Sequence, residues 1–96
     1  MNIKEFKKLD LNKIQLIDIR EKEEFKTLPK IPQAIHIPKD ELIDNMSQIN
    51  MSRPVYLICR TGSRTDFMAI VLQNMWYNTI SIEWGIEAYL NNNKQW

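Results

Sequence analysis

Short apolar runs alternate along this chain with segments whose apolar residues recur at helical spacing. Runs rich in β-branched residues predict four strands, over 15–19, 34–37, 55–59 and 79–82. The segments around them predict a short opening helix through Ile3, Phe6 and Leu9, and helices over 21–27, 40–49, from about Arg64 to Met75, and over 86–90. Because strands alternate with helices, the pattern predicts one α/β domain over 1–96 with a parallel sheet.

The distribution of large side chains adds detail to this prediction. Residues 55–59 form the most continuous apolar run, which is typical of the buried centre of a parallel sheet. The long helix after it carries a broad apolar face, and Trp76 and Tyr77 at its end are predicted to cap the core. Residues 91–96 are polar apart from Trp96, and are predicted to be a frayed tail.

Charge and composition exclude several classes of function. Thirteen basic and twelve acidic residues give a net charge of +1, which indicates neither nucleic-acid nor membrane binding. Any anion binding must therefore depend on a local group of residues. No apolar run approaches the roughly 20 residues of a membrane span, and the charged start does not resemble a secretory signal, so we expect a cytoplasmic protein. One cysteine and one histidine exclude an internal disulfide and a structural zinc site.

The candidate chemistry lies where the most apolar strand ends. Cys59 closes that strand, and a helix is predicted to begin about five residues later. The residues that follow Cys59, up to and including the predicted start of this helix, are Arg60, Thr61, Gly62, Ser63 and Arg64. In such a short loop, backbone N–H groups and a helix N-terminus can point at one atom, and a glycine permits the positive φ that the turn needs. These donors would favour the thiolate of Cys59 and bind an oxyanion or a sulfur anion. The alternative is that Cys59 is only a small buried apolar residue.

Four stretches in the same order resemble the rhodanese family. Asp18, Arg20 and Glu24-Phe25 are similar to its signature after an early strand, and 31–38 (IPQAIHIP) is similar to its Ile-Pro-Gly-Ala-Ile-Asn-Ile-Pro stretch. The loop 59–65 (CRTGSRT) resembles its active-site loop, and 85–89 (GIEAY) its closing Gly-Gly-Ile-x-Ala-Trp. Trp84 stands in place of the first glycine of that closing pair, and Tyr89 in place of the tryptophan.

The resemblance implies both a fold and an activity. It implies a parallel sheet of four or five strands flanked by helices on both faces. It also implies a sulfurtransferase in which Cys59 carries a persulfide, taking sulfane sulfur from thiosulfate or a persulfide donor and passing it to cyanide or a thiol, protein thiols included. Arg60 and Arg64 would attract a dianionic donor. No metal or organic cofactor is required, and we expect a monomer or a weak dimer.

Two other functions remain as alternatives. A cysteine phosphatase or arsenate reductase has its arginine six positions after the cysteine, whereas here Arg64 follows Cys59 by five, so the loop is one residue short for a tetrahedral oxyanion. A non-catalytic sulfur-carrier or regulatory module is usually marked by loss of the cysteine, which is present here.

The remaining polar residues have structural explanations. By the resemblance, Asp18, Arg20 and Glu24 brace a strand-to-helix corner, with Arg20 and Glu24 spaced four apart and able to pair. His36 is predicted to have a solvated or satisfied side chain and not to act as a base. Trp84, just after the last strand, is a candidate for the wall of a pocket.

Overall fold

A parallel four-stranded sheet forms the centre of the molecule in a computed structural model, which describes residues 1–91. The strands are β1 (Gln15–Asp18), β2 (Ile35–His36), β3 (Val55–Ile58) and β4 (Thr79–Ser81). They lie in the order β2-β1-β3-β4, and each neighbouring pair is parallel. The predicted α/β fold with a parallel sheet is confirmed, and the predicted tail beyond residue 91 lies outside the described residues.

Residues 1–91 contain four α-helices. They are α1 (Ile3–Phe6), α2 (Lys22–Thr27), α3 (Ser63–Gln73) and α4 (Gly85–Leu90). Of these, α2 and α3 connect consecutive strands. Within residues 1–91 no helix is long and apolar enough to span a bilayer.

The prediction of one helix over 40–49 is wrong. That segment forms two short 3₁₀ helices, Lys39–Glu41 and Ile43–Gln48, with a non-helical Asn45 at φ −113° and ψ 21°. The Asn45 side chain donates to the Glu41 carbonyl at 2.7 Å and so competes with regular helical bonding. Leu42 and Ile49 still reach the core, which explains why the apolar spacing resembled that of a longer helix.

Side chains from alternate positions of β1 and β3 fill two cores, one on each face of the sheet. Ile17 and Leu57 point to the face covered by α3 and the 3₁₀ segment, where Cys59, Met68 and Leu72 also lie. Leu16 and Ile58 point to the other face, which α1 and α4 cover. The predicted helices on both faces are therefore confirmed.

The outer surface of α3 and its end are more exposed than predicted. Thr65, Met68, Ala69 and Leu72 form its narrow buried face. Phe67 and Ile70 lie on the opposite side and are 61% and 59% exposed. Trp76 is 87% exposed, so the prediction that it caps the core is wrong, whereas Tyr77 packs against the core as predicted. Trp76 lies in the turn after α3 and has φ +73°.

The direction in which strands are added to the sheet reverses between β1 and β3. From β1 the chain passes to β2 on one side and then returns to β3 on the other side of β1. The carboxyl ends of β1 and β3 are adjacent, with Asp18 paired to Ile58 in register. In open parallel sheets, ligands bind at such a reversal of strand order, beyond the carboxyl ends of the strands. Cys59 follows Ile58 directly and so lies at this position.

Candidate active site at Cys59

The cysteine sulfur is held inside the turn between β3 and α3. Cys59 is fully buried, and its Sγ accepts a hydrogen bond from the Gly62 N–H at 3.2 Å. Gly62 has φ +99°, in the left-handed region that glycine favours, and this conformation directs the chain into α3 at Ser63. The positive end of the α3 dipole therefore lies beside the sulfur, where it favours negative charge. The expectation of a positive φ at Gly62 is confirmed.

Thr65 connects the sulfur to a chain of hydroxyl groups that sequence reasoning missed. Its buried Oγ1 lies 3.8 Å from Cys59 Sγ and 3.0 Å from the Gly62 carbonyl, to which it can donate. Ser81 Oγ is 2.8 Å from Thr65 Oγ1 and 2.6 Å from Asp66 Oδ1. These contacts join residues from α3 and β4, and only the proximity of Thr65 to the predicted loop signals them in the sequence.

The N-terminus of α4 fixes the loop from the other side. The Ile86 N–H donates to the Cys59 carbonyl at 2.9 Å, and the Glu87 N–H donates to the Arg60 carbonyl at 3.2 Å. Gly85 permits this close approach, since a Cβ there would lie 2.3 Å from the Cys59 carbonyl oxygen and 2.7 Å from that of Arg60. The position of the cysteine therefore depends on a glycine that is 26 residues away in the sequence.

This close contact predicts a large effect of adding one methyl group. Gly85→Ala is expected to lower the free energy of unfolding by about 2–4 kcal/mol, because backbone atoms must move and φ at Gly85 is +56°. Urea denaturation followed by circular dichroism measures this loss. Glu83→Ala, at an exposed neighbouring position, is the control and should change the stability by no more than about 0.5 kcal/mol. Equal stabilities of the two variants would contradict the packing described here.

Both loop arginines form ion pairs. Arg60 Nε lies 2.7 Å from Glu87 Oε1 in α4. Arg64 binds Glu24 of α2 with both terminal nitrogens, and the Nη2–Oε2 distance is 2.8 Å. The hydrogen bond from Arg64 lowers the pKa of Glu24 from its ordinary value of 4.5 to about 2. The same bond, with a smaller contribution from the nearby Cys59, raises the pKa of Arg64.

The predicted pairing of Arg20 with Glu24 is wrong. Arg20 is buried and binds Asp18 instead, with Nη2–Oδ2 at 2.9 Å, and Nη1 donates to the Pro29 carbonyl. Glu24 extends away to Arg64, because α2 presents it toward α3. Asp18 and Arg20 do brace the end of β1, whereas Glu24 connects α2 to the loop. His36 Nε2 contacts the Arg20 carbonyl at 2.8 Å and its ring stacks on Phe25, so its side chain is satisfied, as expected.

The Glu24–Arg64 pair predicts a pH-dependent contribution to stability. The folded-state pKa of Glu24 lies below its ordinary value, so the contribution is fully present above pH 4.5 and is lost as the pH falls toward 2. Glu24→Gln is expected to cost about 1–2 kcal/mol at pH 7, after allowance for solvent screening. In urea titrations this difference should shrink strongly at pH 2.5. An equal difference at both pH values would contradict the assigned ion pair.

A groove adjoins the loop on its exposed side. Its walls are formed by Thr61, Gly62, Ser63, Asp66, Glu83 and Trp84. Trp84 is 53% exposed, and its φ of +63° is the left-handed conformation that a glycine would adopt without strain. This agrees with the glycine that Trp84 replaces in the family pattern. Of the five predicted loop residues, Gly62 donates to the sulfur, and Thr61, Gly62 and Ser63 line the groove. The side chains of Arg60 and Arg64 are instead bound to carboxylates. Trp84 is a wall of the groove, as predicted. Within residues 1–91, no three His, Cys, Asp or Glu side chains are grouped closely enough to bind a metal ion.

Comparison with known proteins establishes the class. A family described as Rhodanese-like domain matches residues 3–92, and the chain belongs to this family. The fold is similar to that of a rhodanese-like domain protein from Staphylococcus aureus, with a TM-score of 0.85, 26% identity, and coverage of 99% of this chain and 94% of that one.

Two relatives in Bacillus subtilis (strain 168) have names that refer to sulfur chemistry. YtwF, whose name assigns it provisionally to the sulfurtransferases, is 32% identical over 76 residues, which are 79% of this chain and 73% of YtwF. YrkF, named provisionally as a sulfur carrier protein, is 27% identical over 67 residues, which are 70% of this chain and only 36% of YrkF. The chain is therefore a member of a family of sulfurtransferases and sulfur carriers.

Proposed function

We propose that this protein is a sulfurtransferase that carries a sulfane sulfur as a persulfide on Cys59. The observation that carries the proposal is the 3.2 Å hydrogen bond from the Gly62 N–H to Cys59 Sγ at the start of α3. A backbone donor and a helix dipole that meet at a buried sulfur stabilise its anionic form. The same donors suit a persulfide, which has negative charge on its outer sulfur.

The first step loads the cysteine. The Cys59 thiolate attacks the outer sulfur of thiosulfate, a new S–S bond forms, and the bond between the two thiosulfate sulfurs breaks. Its electron pair leaves with sulfite, and the outer sulfur stays on Cys59 as a persulfide anion. A persulfide donor reacts in the same way and leaves as a thiolate. Gly62 N–H holds the reacting sulfur of the cysteine in place during this step.

The second step discharges the persulfide. Cyanide or an acceptor thiolate attacks the outer sulfur, and the S–S bond to Cys59 breaks. The electron pair returns to Sγ, which restores the thiolate, and the product is thiocyanate or a new persulfide. The chain itself supplies the nucleophile and the donors around it, so neither step requires a further group.

The arrangement favours sulfur transfer over phosphoryl transfer for two reasons. The turn from Cys59 to Arg64 is one residue shorter than the phosphatase loop. In addition, the Arg64 guanidinium is bound by Glu24 with both terminal nitrogens, whereas an oxyanion-binding arginine must direct that pair of donors at the substrate.

One comparison tests the choice of reaction. The kcat/KM values for thiosulfate, with cyanide as acceptor, and for p-nitrophenyl phosphate should be measured on the same wild-type preparation. We expect clear turnover of thiosulfate and none of the phosphate ester. Phosphatase turnover that is lost on alkylation of Cys59, without any sulfur transfer, would reverse the assignment. A protein that accepts sulfur from thiosulfate but never releases it would be a sulfur carrier instead.

A further inference from the structure

The charges around the loop suggest which acceptor the site prefers. Arg60 and Arg64 are each bound to a carboxylate, of Glu87 and Glu24 respectively. Neither arginine therefore brings an uncompensated positive charge to the sulfur. This differs from the simplest expectation for a basic loop, which is attraction of small anions.

Two further carboxylates line the groove beside the loop. Asp66 and Glu83 lie there with Thr61, Gly62 and Ser63, and within residues 1–91 no basic side chain is within ion-pair distance of either carboxylate. Ser81 donates to Asp66 Oδ1 at 2.6 Å and keeps this carboxylate in place. The Met1 ammonium group also lies nearby, where it donates to the Ser81 carbonyl at 2.8 Å. Two arginines and this ammonium group thus face four carboxylates, which leaves one net negative charge around the groove.

We propose that this groove selects acceptor thiols that carry a positive charge close to their sulfur. The inference rests on the proposed function, since it concerns the step that discharges the Cys59 persulfide. A cationic group in the groove is attracted by Asp66 and Glu83. An anionic thiol is repelled by the same two carboxylates, whereas a neutral thiol is affected little. The thiosulfate dianion is repelled too, so a high thiosulfate concentration is needed to load Cys59.

The chemistry of the step is unchanged by this selection. The acceptor thiolate attacks the outer sulfur of the Cys59 persulfide, and the S–S bond breaks with its electron pair returning to Sγ. The acceptor leaves with the transferred sulfur as its own persulfide. Asp66 and Glu83 do not touch the reacting sulfurs, so they are positioning residues that act through the charge on the acceptor.

Discharge of the loaded protein by three thiols provides the test. Wild type and Asp66→Asn/Glu83→Gln are first loaded with saturating thiosulfate and freed of the excess. The second-order rate constant of discharge is then measured with cysteamine (cationic), 2-mercaptoethanol (neutral) and mercaptoacetate (anionic) at low ionic strength. Each thiol is compared only with itself between the two proteins, so differences in intrinsic thiol reactivity cancel.

The variant is expected to discharge to cysteamine roughly threefold to tenfold more slowly and to mercaptoacetate more quickly by a similar factor. The rate with 2-mercaptoethanol should stay within about twofold, and salt should reduce both effects. Asp40→Asn/Asp44→Asn, which removes the same charge from exposed side chains outside the groove, is the control and should behave like wild type. Thermal unfolding establishes that the variants are folded, and Glu83→Gln alone replaces the double variant if Asp66→Asn destabilises α3.

The result that overturns the inference is an equal change, or no change, for all three thiols in a loaded and folded variant. That outcome leaves sulfur transfer through Cys59 intact. Failure of wild type to load sulfur at all is a different outcome, because it contradicts the proposed function before the acceptor enters.

Discussion

A Cys59→Ser variant is expected to form no sulfur adduct and to lose sulfurtransferase activity completely. A serine hydroxyl at this position can still accept the hydrogen bond from Gly62, but it is not ionised at neutral pH and cannot form a persulfide. Because Cys59 is the only cysteine in the chain, no other thiol can replace it. The thiocyanate formed from thiosulfate and cyanide measures the loss.

Loss of activity in this variant has to be separated from loss of the fold. Cys59 is fully buried, so the new hydroxyl is expected to cost about 1–3 kcal/mol of stability, and circular dichroism must show that the variant remains folded. Cys59→Ala avoids the buried hydroxyl and should be equally inactive. Near-normal thiocyanate formation by either variant would show that Cys59 is not the nucleophile.

The second large effect is expected from lengthening the loop. Inserting one glycine between Gly62 and Ser63 moves the start of α3 away from the sulfur and breaks the hydrogen bonds from Thr65 and Asp66 to the Gly62 carbonyl. We therefore expect the Gly62 N–H to lose its contact with Sγ. Removing one well-aimed donor costs about 3–4 kcal/mol of transition-state stabilisation, so kcat/KM for thiosulfate should fall at least about a hundredfold. The insertion restores the phosphatase spacing, but no useful phosphatase activity is expected, because a general acid is still missing.

A matched insertion separates loop geometry from general damage. One glycine inserted between Met51 and Ser52, in the exposed turn before β3, should leave kcat/KM within about threefold of wild type. If the two insertions reduce activity equally while both proteins stay folded, the close contact between Gly62 and the sulfur is not what supports catalysis.

Local residue patterns were sufficient to predict the sheet and the loop. The apolar run before Cys59 required a buried strand, and a parallel sheet places the end of such a strand at its ligand-binding edge. The glycine at 62 indicated the positive φ, because no other residue type adopts it as readily. These features depend on a few neighbouring residues, which the sequence displays directly.

Contacts between distant segments were not predictable in the same way. Helical spacing favoured Arg20 as the partner of Glu24. In the structure the buried Asp18 binds Arg20, and Glu24 binds Arg64. Only the position of α2 relative to the start of α3 in the folded chain decides between these partners. The 3₁₀ segment shows a related limit, since Leu42 and Ile49 have core spacing that either a long helix or two short turns can satisfy.

The central claim is that Cys59 carries the transferred sulfur, and intact mass spectrometry of the wild-type protein tests it most directly. Incubation with thiosulfate should add one sulfur atom, about 32 Da, and peptide mapping should place it on the peptide that contains Cys59. Cyanide should remove the added mass and release one equivalent of thiocyanate. A protein that stays at its original mass, with Cys59 reduced and accessible to alkylation after unfolding, would contradict the claim.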